Sequence, residues 1–306
     1  PRQYESMKLF VEAEIRKMGK KNLWIGPSLG DWLAMGKGIA WQAMHNNPVS
    51  NAFIVHDLKV ISETAERLGK KADADRYRRQ MEATTEAYIR KFVSKKGIVA
   101  KDYQSAYIMA LKFVLPEGEL REQVKKNFAA NIRKNGLQTG FFATEHLLPL
   151  LVEAGETELA YDILLQEGCP GWMYQIKCGA TTTWERWDAL KPDGTVNEEK
   201  MAGSGDNMVS FNHYAFGSVG EFYYQYILGI KPQKPGFAEL HFEPYPDRRL
   251  GGVSGSYLSR AGKIESSWKY EEDGCHISLN TPVKSEVVLP NGQRETAEEG
   301  TYQWLC

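Results

Sequence analysis

The chain has 306 residues, of which 42% are apolar and 25% charged, and its formal net charge is −1 at pH 7. This is an ordinary globular composition, without the basic excess that binding to nucleic-acid phosphates requires. No run of about 18 apolar residues is present, which argues against a membrane-spanning helix.

The length suits one large domain, or a medium domain followed by a small one. The first residues, PRQYESMKLF, begin within a helical pattern and without a methionine, so the sequence reads as part of a longer polypeptide. No signal peptide is visible, and the compartment is unknown, with periplasm or cytoplasm favoured over a membrane. Cys169, Cys178, Cys275 and Cys306 lack metal-ligand spacing. Cys169 and Cys178 flank PGWMYQIK, where a hairpin would let them face each other; whether they are bridged stays open.

From residue 4 to about 166 apolar residues recur at helical spacing. Tyr4, Met7, Val11, Ile15 and Met18 share one face. Ile54, Leu58, Ile61, Ala65 and Leu68 share another, after an expected cap at Ser50 or Asn51. Residues 72–92 form a charged helix. YQSAYIMALKFVL is nearly all apolar and implies a helix buried on most sides. Leu120, Val124, Phe128 and Ile132 step by four, and further helices are expected near 143–154 and 157–166. Between 167 and 212 the periodicity fails, in a long loop rich in Gly, Pro, Thr, Asn and Trp. One more helix is expected from about His213 to Leu228.

After GIKPQKPG the period becomes two. KIESSWKY and CHISLN read as a hairpin turning at Asp273-Gly274, and SEVVLP with QRETAEEGTYQW as a second, turning at Asn291-Gly292. The expected division is 1–232 for a helical catalytic part and 233–306 for a small antiparallel β-sandwich. Antiparallel helix pairs with chemistry in the loops at one end suggest an α/α toroid. About eight helices are counted where six pairs need about twelve, so part of such a toroid would lie upstream.

The chemistry concentrates in GATTTWERWD, Gly179 to Asp188. Glycosidic hydrolysis usually employs two carboxyl groups, one protonating the leaving oxygen and one acting on the opposite face. Glu185, set between Trp184 and Trp187, is the first candidate; pairing with Arg186 or Arg260 is the plainer alternative. Asp31 in LGDWLAMG stands beside an aromatic wall, Trp32, and is either a ligand contact or a helix cap. His213 in SFNHYAFGS is either a donor to a sugar hydroxyl or a satisfied structural histidine. Arg186, Asp188 and Asn207 are further candidate hydroxyl partners, and Glu145 and His146 weaker ones. No serine-nucleophile elbow, dinucleotide fingerprint, P-loop or H-E-x-x-H occurs. No cofactor and no metal is called for.

The series GDWLA, SAYIMALKFVL, TGFFAT, ELAYDILLQEGCPGWMYQIKCGATTTWERWD and SFNHYAFGSVGEFYYQYILGI closely resembles the bacterial α-L-rhamnosidases of glycoside hydrolase family 78, in the same order along the chain. The tail from VSGSYLSRAGK onward resembles that family's C-terminal β domain. The resemblance implies an (α/α)6 barrel flanked by β domains, and inverting cleavage of terminal α-L-rhamnosides in glycosides or polysaccharides. It implies Glu185 as general base and His213, Asp31, Trp32 and Trp184 as sugar-pocket residues. The family's general acid lies in a C-P-x-R-E-x-x-G-W-like motif upstream of GDWL, which this sequence does not contain; the resemblance therefore implies a preceding segment of the same polypeptide. Two other readings stay open: a different α/α-toroid glycosidase, and a carbohydrate-binding remnant without catalysis.

Overall fold

The computed structural model describes residues 2–198 and 208–306. The chain divides into two compact units, Pro1–Phe216 and Gly217–Cys306.

The first unit is built of helices. α1 (Tyr4–Met18), α2 (Ile39–His45), α3 (Asn47–Arg67), α4 (Lys71–Phe92) and α5 (Gln104–Met109) are followed by a π-helical turn, Ala110–Val114. Then come α6 (Glu119–Asn135), α7 (Phe141–Glu153), α8 (Thr157–Leu165) and the short α9 (Trp172–Lys177). α3 starts earlier than expected because Pro48 occupies its first turn, where a missing N–H costs nothing. α9 was not expected, and it replaces the hairpin imagined between Cys169 and Cys178, which are both free thiols.

The spacing of apolar residues decides which faces meet. Tyr4, Val11 and Met18 of α1 pack with Ile54, Leu58, Ile61 and Ala65 of α3 and with Ala74 and Tyr77 of α4. Polar side chains pin this cluster at its rim: the Tyr4 hydroxyl donates to Asp73 at 2.7 Å and that of Tyr77 to Glu12 at 2.7 Å.

A groove of about 810 Å³ runs along this unit, lined by Phe10, Glu14, Trp24, Leu29, Trp32, Ser50, Phe53, Asp57, Phe141 and Phe142, among others. Its rim exposes large apolar side chains: Phe10 is 60% exposed and Leu29 56%. An exposed apolar patch of this kind marks an interaction surface or a ligand-binding groove. Glu14 and Asp57 are carboxylates in this largely apolar lining, with Lys17 beside them. Burial, with Asp57 adding repulsion, pushes Glu14 up to about 7, and its Oε2 has no hydrogen-bond partner among the described residues.

The second unit starts with a helix of mixed pitch: a 3-10 turn at Ala215–Ser218, shared across the unit boundary, then α10 (Val219–Phe222) and a π turn at Tyr223–Ile227. The expected single helix from His213 is thus three short pieces beginning at Ala215. Two four-stranded sheets follow. β3 (Gly252–Ser259), β4 (Gly262–Glu271), β5 (Gly274–Thr281) and β8 (Gly300–Leu305) form an antiparallel sheet in that order. β1 (Ile230–Pro232), β2 (Leu240–Phe242), β6 (Ser285–Val288) and β7 (Arg294–Ala297) form the other, with a parallel pairing between β2 and β6.

The first predicted hairpin is β4–β5, where Glu271 opposes Gly274, so Glu272 and Asp273 make the turn, one position before the expected pair. The second is β6–β7 only. QRETAEEGTYQW is not one strand: it breaks after Ala297, and β8 joins β5 in the other sheet. Two charged residues, Glu298 and Glu299, stand at that break. The helix of this unit is tied to its sheet by buried bonds: Trp268 Nε1 donates to Ile227 O at 2.7 Å, and the Ser266 hydroxyl to Leu228 O at 2.7 Å.

Two predictions follow from packing. Trp268→Phe keeps most of the apolar volume but orphans Ile227 O, which should destabilise the second unit by about 1–3 kcal/mol in denaturant unfolding. Glu14 binds a proton in the folded state between its ordinary carboxylate range and about pH 7, where the unfolded chain has lost it. Its contribution to stability should therefore fall as pH rises through that window. Glu14→Gln should flatten this part of the stability–pH curve, measured by thermal unfolding of both proteins at pH 5 and pH 8.

Candidate active site

The site begins with a tight loop. Gly30 adopts φ +50°, and a Cβ there would lie 2.3 Å from the Asn46 side chain, so the backbone passes where only glycine fits. This turn delivers Asp31 into the interior, where it has no exposed surface. Its carboxylate takes four donors: the Ser105 hydroxyl at 2.5 Å, and the backbone N–H groups of Gly140 at 2.7 Å, Phe142 at 2.8 Å and Ala143 at 3.0 Å. Three of these are the unpaired N–H groups at the start of α7, where a negative charge is favoured. Burial pushes the Asp31 carboxyl up, and the four donors oppose it. Asp31 is therefore a cap, for a helix about 110 residues later rather than for the next segment. With both oxygens spent and no surface, it does not meet the expectation of a ligand contact.

The same junction sets Trp32 and Phe141. Phe141 N donates to Trp32 O at 3.0 Å, and a Cβ on Gly140 would lie 2.1 Å from that oxygen. Trp32 is half-buried and lines the groove with Phe141. Phe141 also packs on the His213 ring, with centroids 4.6 Å apart. Sequence reasoning passed over Phe141; the phenylalanine pair directly after Gly140 was its only signal.

Glu185 and His213 come together through backbone pairing between 182–185 and 210–213. Glu185 N donates to Ser210 O at 2.8 Å, His213 N to Thr183 O at 2.9 Å, and the Thr183 hydroxyl to His213 O at 2.6 Å. Thr183 and Glu185 are half-buried, whereas Trp184 between them is 2% exposed. Trp184 packs against Tyr174, Ala189 and Phe211, so the expectation of it as a sugar-stacking wall is corrected to that of a core anchor. Trp187 is a second anchor: fully buried, stacked on Phe216 at 3.8 Å, with its Nε1 donating to Thr139 O at 2.9 Å. The two indoles hold the loop; neither is free to stack on a ligand.

The Glu185 carboxylate has no hydrogen bond or ion pair among the described residues. Its neighbour Arg186 instead forks onto Asp188, at 3.0 and 3.3 Å, and Asn197 donates to the same aspartate at 2.9 Å. His213 Nδ1 accepts from Ala215 N at 3.3 Å, which leaves the proton of the neutral ring on Nε2, a donor available to a ligand. Tyr214, 83% exposed, also stacks on that ring, with centroids 5.0 Å apart. Glu145 is exposed, and His146 sits edge-on to Phe113. Burial, with Lys112 and His56 nearby, lowers His146 to about 4. Asn207 lies outside the described residues.

Among the described residues one group has metal-ligand proximity, Glu271, Asp273 and His276, with ligand atoms within 4.8 Å of one another. It sits in the second unit at the β4–β5 turn, and His276 is already hydrogen-bonded to Asp273 at 2.8 Å.

Known proteins resemble this chain along nearly its whole length. A family profile described as the bacterial alpha-L-rhamnosidase 6 hairpin glycosidase domain matches residues 1–227, and one described as the bacterial alpha-L-rhamnosidase C-terminal domain matches residues 229–303. An alpha-L-rhamnosidase of an Alteromonas species is 34% identical over 298 residues, which cover 94% of this chain and 32% of that protein. One from Streptomyces avermitilis is 32% identical, covering 89% of this chain and 26% of that protein. Among solved structures, the native rhamnosidase of Aspergillus terreus superposes with a TM-score of 0.89 at 27% identity, over 99% of this chain and 36% of that one. The Streptomyces avermitilis enzyme complexed with L-rhamnose superposes with a TM-score of 0.87 at 28% identity, over 98% and 30%. The chain thus spans about a third or less of the length of the curated relatives it matches.

Asp31→Asn should be severe despite its small size. The amide turns two donors toward a cage that supplies only donors, and the charge at the start of α7 is lost. The expected cost is about 3–5 kcal/mol in unfolding free energy, read from denaturant midpoints.

Proposed function

This chain belongs to the bacterial α-L-rhamnosidases, as their six-hairpin glycosidase domain and C-terminal domain, and we propose that the polypeptide it contributes to releases terminal L-rhamnose from glycosides or polysaccharides with inversion. The observation that carries this reading is the half-buried Glu185 carboxylate, without a partner among the described residues and carried on a segment whose backbone pairs with the one that carries His213. A general base needs such a carboxylate: ionised, fixed and unspent.

In this reading Glu185 accepts a proton from a water molecule as that water attacks the anomeric carbon. The leaving oxygen takes its proton on the opposite face from a second carboxyl group, about 6.5–9.5 Å away to make room for the water. We assign that acid to a preceding segment of the same polypeptide. The groove at Phe10, Leu29 and Phe142 supports such a segment, since it leaves large apolar surface uncovered. His213 Nε2 donates to a sugar hydroxyl. Trp32 and Phe141 offer ring faces to the apolar side of a deoxy-sugar, whose methyl group suits aromatic contact. Trp184, Trp187 and Asp31 act through position: they hold the loops that carry these groups.

The test is Glu185→Gln in the full polypeptide, assayed for rhamnose release from an aryl α-L-rhamnoside. The amide keeps the shape and cannot take the proton, so kcat should fall about 10²–10⁴-fold while rhamnose binding persists. Near-normal turnover in that variant overturns the assignment of the base. Turnover of a different glycoside by the parent protein would favour another toroid glycosidase, and sugar binding without any turnover a carbohydrate-binding role.

A further inference from the structure

The β5–β8 ladder carries a feature that the sugar chemistry does not use. Its register runs from Thr281 opposite Gly300 to His276 opposite Leu305, and the next position brings Cys275 opposite Cys306. These two residues exchange both backbone hydrogen bonds, Cys275 N to Cys306 O at 2.7 Å and Cys306 N to Cys275 O at 2.9 Å. Residues paired in this way share a face of the sheet, with Cα atoms about 5.5 Å apart. Disulfides span Cα separations of about 4.4–6.8 Å. Both side chains are thiols, with Cys275 3% exposed and Cys306 half-buried.

We propose that Cys275 and Cys306 are a cross-strand thiol pair that a small-molecule disulfide, such as oxidised glutathione, converts into an intrachain disulfide locking β8 onto β5. The more accessible Cys306 reacts first: its thiolate attacks one sulfur of the oxidant and releases one glutathione thiolate. The Cys275 thiolate then attacks the Cys306 sulfur and releases the second. Two protein thiols are oxidised, the oxidant is reduced to two thiols, and the two protons pass from the cysteines to the glutathione thiolates. Burial raises both cysteines above the ordinary thiol range, Cys275 further through its neighbour Cys306. Less thiolate is therefore present near neutral pH, and the reaction runs faster as pH rises.

The position gives the bond a structural effect. β8 lies at the edge of its sheet and is bonded there only to β5. It carries Trp304, whose ring packs on Phe242 of the other sheet and whose Nε1 donates to Glu295 at 2.6 Å. A covalent clasp one residue beyond Leu305 fixes the strand that joins the two sheets. Cys169 and Cys178 have no such register, being separated by α9.

The test treats this chain with excess oxidised glutathione at mildly alkaline pH, blocks remaining thiols, and maps peptides without reduction. The expected result is a linked peptide pair joining Cys275 to Cys306, a thermal midpoint raised by several degrees, and reversal of both by a reductant. Cys306→Ser and Cys306→Ala should each lose the linked pair and the shift, while Cys275 stays alkylatable after unfolding. Recovery of Cys275 and Cys306 as separate glutathione adducts or blocked thiols after oxidation, or Cys275 linked to a different cysteine, overturns the proposal.

Discussion

The buried carboxylate of Asp31 is the constraint on which the arrangement of the site rests. An isolated ion with no exposed surface is costly, and four donors compensate it, three from the first turn of α7. Those donors can converge only if the loop after Gly30 touches the helix after Gly140. At Gly140 a Cβ would collide with the backbone of that loop, and at Gly30 with the Asn46 side chain. The contact in turn fixes Phe141, through its bond to Trp32 O, and Phe141 supports the His213 ring. A fully buried group thus sets the positions of partly exposed ones.

The second half of the site is held by a different principle. The segment around Glu185 has no regular secondary structure to stiffen it, and backbone pairing to 210–213 with two buried indoles does that work. Trp187 links the loop to both Thr139 and Phe216, so the loop, the start of α7 and the segment leading from His213 share one anchor. Arg186 and Asp188 neutralise each other beside it, which keeps the adjacent carboxylate from being paired internally. The polar residues of GATTTWERWD therefore divide their tasks: the indoles and the Arg–Asp fork stabilise, and Glu185 is left unspent.

The groove in the helical unit has a different electrostatic character. Burial raises both Glu14 and Asp57, and this is only partly offset by Lys17 near Glu14 and His56 near Asp57. Carboxylates so placed weaken a fold at neutral pH unless a donor or cation meets them. Phe10, Leu29 and Phe142 add large exposed apolar surface to the same groove.

Periodicity by itself determined the helical character of the first part and the strand character of the last, because each face must bury its apolar residues wherever it packs. It determined the core face of α1 and most of that of α3, and it located the loop carrying Glu185, where the period fails and aromatic and charged residues crowd. It did not decide the partition of QRETAEEGTYQW, since a strand's alternation is the same in either sheet and only the pairing of β8 with β5 separates them. Nor did it decide what Asp31, Trp184 and His213 do. A carboxylate beside a tryptophan reads alike whether it faces a ligand or a helix terminus 110 residues away, and an indole beside a glutamate reads alike as wall or anchor. Those roles depend on which side of an extended segment faces the interior and on which distant N–H groups are left unpaired, and both are properties of the packed chain.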